Sequence, residues 1–145
     1  MRKKFSIKWI SSRQTRKQRK YRYNAPMHVR QKLVSAHLDK VLRKDYNKRS
    51  LSVRKGDEVT IMRGAFSGTR GKISRVVLKD LKVYVDSAKV KKVSGQEVEA
   101  AIDPSNIMIT KLNFDDKKRR KFLSRVKVKT AETKEKTEQS KQKGK

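Results

Sequence analysis

The 145-residue chain has no cysteine, which excludes disulfide scaffolds, thiol nucleophiles and every cysteine-ligated zinc site. It has only two histidines, and neither His28 nor His37 has a His, Cys or carboxylate at ligand spacing. No metal and no cofactor are expected. Purely apolar runs last a few residues, far short of the roughly 18 to 20 that a membrane-spanning helix needs. Apolar residues make up 34% and charged residues 39%, so the whole length cannot fold into one compact core. Acids are scarce too, 14 against 42 lysines and arginines, and none precedes Asp39. The net charge of +28 demands a polyanionic partner.

Catalytic chemistry is equally short of parts. No nucleophile, base and orienting group converge in the sequence. Asp57 and Glu58 are adjacent, so on a strand they point to opposite faces, and a turn-capping role suits them better than acid–base work. The stretch ending Gly71-Lys72 is similar to a nucleotide phosphate loop, but Phe66 stands where its first glycine belongs and Ile73 where Ser or Thr must hold magnesium. Neither enzyme activity nor a small-molecule substrate is expected.

What is present divides the chain. Leu, Ile, Val and Phe fill 20 of the 64 positions in 51–114 but only 13 of the other 81. Net charge is +15 over residues 1–50, +5 over 51–114 and +8 over 115–145. A modest core thus carries two cationic arms. The segments read as a basic RNA-binding arm (1–25), a short helical segment packed on a barrel (26–50), the barrel (51–114), a basic C-terminal helix (115–130) and a charged tail (131–145). That tail is predicted disordered, its only apolar side chain being Ala131.

The central part reads as strands. Val59 and Ile61, Val83 and Val85, and Ile107 and Ile109 each alternate with a more polar or bulkier neighbour, a period of two. Ile73 with Val76 to Leu78 adds a fourth strand, and Val98, Ala100 and Ile102 a fifth. Turn residues separate them, including Lys55-Gly56-Asp57, Ser94-Gly95 and Asp103-Pro104-Ser105-Asn106. So few strands would expose long edges as an open sheet, which favours closure into a small barrel. Outside it, Pro26 starts a helix with Val29, Leu33 and Ala36 on one face, and Leu38, Val41, Leu42 and Tyr46 give a second amphipathic set. Asp115 and Asp116 suit the start of a last helix with a Phe122, Leu123, Val126 stripe.

The most informative stretch runs from Val59 to Ile73. A strand leads into a loop with Gly64, Gly68 and Gly71 and then into another strand, bordered by Arg63, Arg70, Lys72 and Arg75. Glycines permit positive φ and let backbone amides approach a phosphate that a Cβ would block. They also serve to turn a barrel corner, and the two roles are compatible.

Val53-Arg54-Lys55-Gly56-Asp57-Glu58-Val59 with the stretch from Arg63-Gly64 to Gly71-Lys72-Ile73 resembles a KOW motif, found in small SH3-like barrels that associate with RNA. The flanks narrow the likeness: Arg16-Lys17-Gln18-Arg19-Lys20, the run from Asn24 to Lys32, that from Leu42 to Ser50, and that from Pro104 to Leu112. Together they resemble the archaeal and eukaryotic branch of the large-subunit KOW ribosomal proteins, numbered twenty-four in the universal nomenclature and twenty-six in the older eukaryotic one. The likeness covers roughly residues 12 to 128. It implies a mainly β fold with short flanking helices, an SH3-like barrel with basic extensions, and a non-enzymatic component of the large ribosomal subunit. The resemblance further implies binding to the 5′ region of large-subunit rRNA early in assembly, near the peptide exit tunnel, beside neighbouring large-subunit proteins. Location would be cytoplasmic, with nuclear passage in a eukaryote, and no membrane partner or homo-oligomer is expected. Relatives of the eukaryotic kind usually have His-Pro where Asp103-Pro104 stands, and a carboxylate there would repel phosphate. Residues 1–11 and those after Val128 align with nothing in the family.

RNA contact is expected from Trp9, Arg13, Arg16, Lys17, Arg19, Lys20, Tyr21, Arg22 and Tyr23 in the arm. His28, Arg30, Lys32, Arg49, Arg54 and Lys55 follow, then Arg63, Gly64, Phe66, Gly68, Arg70, Gly71 and Lys72 around the loop, and Lys111. Trp9, Tyr21 and Tyr23, interleaved with arginines, are placed to stack on splayed bases, although Trp9 could equally join Phe5 and Ile10 in a small apolar patch. The Lys117 to Lys121 run is either a solvated face or a further RNA contact. Recognition of one folded RNA shape, with arms ordering on binding, is expected in place of sequence readout. The main alternative is a non-ribosomal KOW module acting in transcription or chromatin, although such factors usually carry further domains. An Arg-rich, acid-free N-terminus also fits a mitochondrial presequence, but Leu and Ala are scarce and cations run past any cleavage point.

Overall fold

Alternation at period two builds most of the molecule. The computed structural model describes residues 5–6 and 12–125. Trp9, residues 126–130 and the tail at 131–145 lie outside the described residues, together with the expectations placed on them. The elements run α1 (Thr15–Asn24), α2 (Met27–Leu33), β1 (Ser35–Leu38), α3 (Lys40–Tyr46), β2 (Ser50–Ser52), β3 (Glu58–Ile61), β4 (Arg70–Val77) and β5 (Lys82–Lys91). Then come β6 (Glu97–Ile102), a 3-10 turn at Pro104–Asn106, β7 (Ile107–Lys111) and a last helix, α4, over residues 117–125.

The strands form one seven-stranded mixed sheet in the order β2-β1-β7-β3-β4-β5-β6. The β1–β7 pair is parallel, with His37 opposite Met108 and Leu38 opposite Ile109, while the other pairs are antiparallel. Register shifts at Glu58/Val59, Ile73/Arg75 and Tyr84/Lys89 interrupt the ladders. Such irregularities bend and twist strands, giving the barrel-like form. One face of each strand is interior: Ala36, Leu38, Val59, Ile61, Ile73, Val83, Val85, Ile107 and Ile109 are almost wholly buried. Burying each large aliphatic side chain stabilises by about 1.5–3 kcal/mol.

The five expected strands are present, within β3, β4, β5, β6 and β7. Two more, β1 and β2, arise where a helical segment was expected. Ala36 does not continue the Val29, Leu33 helical face, because α2 ends at Leu33 and the chain extends into β1 with Ala36 and Leu38 inward. Leu38 likewise belongs to β1 and not to the second helix, which begins at Lys40 behind Asp39, whose carboxylate accepts the Lys40 N–H at 2.7 Å. The arm contains helix α1, which has no buried residue.

Two arginines fasten outlying elements to the barrel. Arg30 donates to the carbonyls of Tyr23, Ala25 and Lys79, tying the end of α1 to the β4–β5 turn. Arg119 of α4 reaches the buried Asp57 before β3, and Leu123, one turn later, is buried against the core. Arg119 therefore does not share the solvated face expected of the Lys117 to Lys121 run, being only 7% exposed.

Candidate nucleic-acid interface

The arm residues stand on α1. Arg16, Lys17, Arg19, Lys20 and Arg22 are exposed, and none has an ion-pair partner among the described residues. No acid occupies the first turn, and Arg16 and Lys20 sit four apart, so the helix carries like charges with nothing of its own to offset them. Tyr23 is 80% exposed, whereas the Tyr21 ring lies 4.7 Å from that of Phe5. Arg13 and Arg49 are exposed singly.

The glycine loop is built from its own hydrogen bonds. Gly68 N–H donates to the Ile61 carbonyl at 2.8 Å, Ser67 N–H to Gly64 at 3.0 Å and Thr69 N–H to Phe66 at 3.1 Å. Gly64 and Gly68 have φ of +99° and +84°, the left-handed region that glycine enters without a Cβ penalty, and open space surrounds both. The N–H groups of Arg63, Gly64, Ala65 and Phe66 meet no acceptor among the described residues, so the loop tip offers donors beside the exposed Arg63. Phe66 itself is half-buried and packs on the core. Gly71 differs from the other two: it lies in β4 opposite Val59, and a Cβ there would collide with Ser87, Asp86 and Val85 of β5. Its role is close strand approach at a barrel corner.

Beyond the loop, Arg70, Gly71, Lys72 and Lys111 converge on a groove of about 830 Å³. Glu58 and Asp86 share it and moderate its charge: Glu58 pairs with Lys111 at 3.2 Å, and Asp86 accepts the Lys72 N–H at 2.9 Å. His28, Lys32 and Arg54 meet in a second, smaller cleft of about 280 Å³ between α2, β2 and α4. Lys118 and Phe122 of α4 also line it. Phe122 and Leu123 were expected in one apolar stripe, but of these two Leu123 turns inward and Phe122 remains 44% exposed. Lys55 borders a third hollow, of about 350 Å³, with Asn113. Arg30 is set apart from the other candidates, its guanidinium being used by three carbonyls.

Asp103 has a local task. Its carboxylate caps the 3-10 turn by accepting the Ser105 N–H at 3.0 Å and pairs with Lys82 at 3.5 Å. Partial burial acts to raise its pKa, but the Ser105 hydrogen bonds and the Lys82 charge prevail and hold it below the ordinary value.

The family of ribosomal proteins designated L26 in eukaryotes, together with its archaeal L24 counterparts, matches residues 12–126. The chain is 49% identical over 115 residues to the large ribosomal subunit protein uL24 of Methanospirillum hungatei, covering 79% of this chain and 96% of that one. It is 52% identical over 108 residues to the protein of the same name from Methanosarcina barkeri, covering 74% and 93% of the two chains. With the one from Methanosphaera stadtmanae it shares 46% over 114 residues, covering 79% and 97%.

Proposed function

The chain belongs to the family of eukaryotic L26 and archaeal L24 ribosomal proteins, and from that membership we propose that it binds and organises large-subunit rRNA. It is a structural, non-enzymatic constituent of the large subunit. Binding takes place early in assembly and near the peptide exit tunnel, beside other large-subunit proteins, in the cytoplasmic ribosome.

One observation carries the reading: α1 presents five exposed cations that nothing else among the described residues pairs. A helix of like charges with no buried face is unstable by itself, and phosphates on its surface turn that repulsion into attraction. Each phosphate neutralised releases counterion, and the unsatisfied N–H groups at the glycine loop add hydrogen bonds to backbone oxygens. The barrel holds these two surfaces in fixed relation.

The test is sedimentation of a cell lysate through a high-salt gradient. The protein stays with the large subunit at about one copy per particle. Recovery in the free fraction or on chromatin removes the assignment.

A further inference from the structure

The cleft between α2, β2 and α4 carries an inference that rests on the proposed RNA binding and narrows it. Its volume of about 280 Å³ lies just below the roughly 300–1,000 Å³ of pockets for drug-sized ligands, the scale of a single base and not of a duplex. Its charge is positive in effect. Asp116 is the one carboxylate in the lining, and it is already engaged: Oδ1 accepts the Lys118 N–H at 2.8 Å, and Oδ2 lies 3.5 Å from Arg54. The Lys118 N–H, above all, lowers the pKa of Asp116, with smaller help from the Arg119 N–H and the Arg54 charge. Among the described residues neither Lys32 nor Lys118 has a carboxylate within 4 Å, although the Lys118 charge also helps to lower the Asp116 pKa, and His28 lines the cleft with them.

Phe122 supplies the other half of the site. It lines the cleft with 44% of its surface exposed, although the neighbouring Leu123 shows that α4 has an apolar place available at the core. Lys48 Nζ sits 4.1 Å from its ring centroid, so a cation already neighbours the π-face. A partly exposed aromatic ring next to Lys32 and Lys118, in a space of base size, has the makings of a stacking site with phosphate contacts. We propose that this cleft accepts one unstacked nucleotide of rRNA, its base against Phe122 and its phosphate against Lys32 and Lys118.

The full chain tests this with two single-stranded RNA heptamers of uridine, one with 2-aminopurine at its centre and one with an abasic site there. At low salt the first binds about tenfold more tightly, the lower part of the range for stacking on an aromatic, and its emission is quenched. Phe122→Ala abolishes both the preference and the quenching while the melting temperature is kept. Should that variant lose stability, Phe122→Leu, which keeps an apolar side chain without the aromatic face, gives the same reading. Equal binding of both heptamers, or quenching that persists in these variants, overturns the nucleotide cleft and leaves the proposed function standing. Failure of the wild-type chain to bind either heptamer or an rRNA fragment removes the RNA-binding reading itself.

Discussion

Arg119 and Asp57, 62 positions apart in the chain, close a two-point ion pair inside the protein, with Nη1 2.6 Å from Oδ1 and Nη2 2.9 Å from Oδ2. Both carboxylate oxygens and both terminal guanidinium nitrogens have further partners. The carboxylate also accepts the N–H groups of Arg54 and Asn113, each at 2.9 Å, and the guanidinium donates to the Asn113 carbonyl at 3.0 Å. The expected turn role of Asp57 is thus present through Arg54, but the same side chain also clasps α4 to the barrel. Asp57 has no solvent exposure, so neither partner can fall back on water.

Breaking this pair from one side leaves a buried charge uncompensated. Asp57→Asn or Arg119→Met should each cost about 3–5 kcal/mol, whereas a double apolar replacement of similar volume should cost much less. Urea unfolding of the single and double variants gives the coupling energy. Single variants within about 1 kcal/mol of the wild type would contradict the clasp.

Salt dependence reports the cations of α1. With about ten phosphate contacts, the slope of log affinity against log salt should lie near −7 to −9. Replacing Arg16, Lys17, Arg19 and Lys20 together by alanine should reduce its magnitude by about 3 to 4, with barrel melting unchanged because α1 buries nothing. Filter binding to an rRNA fragment at several salt concentrations measures this, and an unaltered slope would place the phosphates elsewhere.

The three glycines should separate by assay. Gly64→Val forces a β-branched residue to φ near +99° in open space, a strain of about 1–3 kcal/mol that leaves the barrel folded. Affinity for rRNA should fall about tenfold where backbone donors approach a phosphate; full affinity in the folded variant rejects close approach there. Gly71→Ala instead drives a Cβ into Ser87, Asp86 and Val85, so its effect, about 1–3 kcal/mol, should appear in thermal melting before binding is tested.

Acidity should reveal the Asp103 cap. Its folded pKa is lowered, so the stabilisation is fully present above the unfolded value of about 3.9 and disappears as pH falls through the folded one. Asp103→Asn should be less stable than the wild type by under about 1 kcal/mol at pH 7 and pH 5, the scale of an exposed pair. The gap should narrow as pH falls below about 3.9 and through the lowered folded value. A gap of constant size across that range would mean that the charge contributes nothing.

Sequence periodicity revealed the strands that obey one rule alone. Val59 and Ile61, or Ile107 and Ile109, alternate within segments bounded by turn residues, and their burial follows. At β1 two periods competed: Ala36 stands at helical spacing from Val29 and Leu33 and at strand spacing from Leu38, and pairing with β2 and β7 decided the outcome. Helix α1 gave no signal because it has no apolar face to repeat. The positive-φ roles of Gly64 and Gly68 were legible from residue type, whereas the part played by Gly71 depends on β5 crossing beside it. Arg119 could not be told from its cationic neighbours, except by its spacing of four from Leu123, because inward direction is settled by a carboxylate distant in sequence. Arg30 was hidden for the same reason, its acceptors including the far Lys79 carbonyl.

Strand β7 lies between β1 and β3, so an interior position of the sheet is filled by the last of the seven strands to be synthesised. A growing polypeptide holds β1 and β3 without their shared neighbour until residue 111 has been added, and without Arg119 for eight residues more. Pairing that spans such separations is slow and must wait for its late participant. The acid-free first 38 residues emerge long before that moment. Vectorial translation thus delivers charge ahead of architecture.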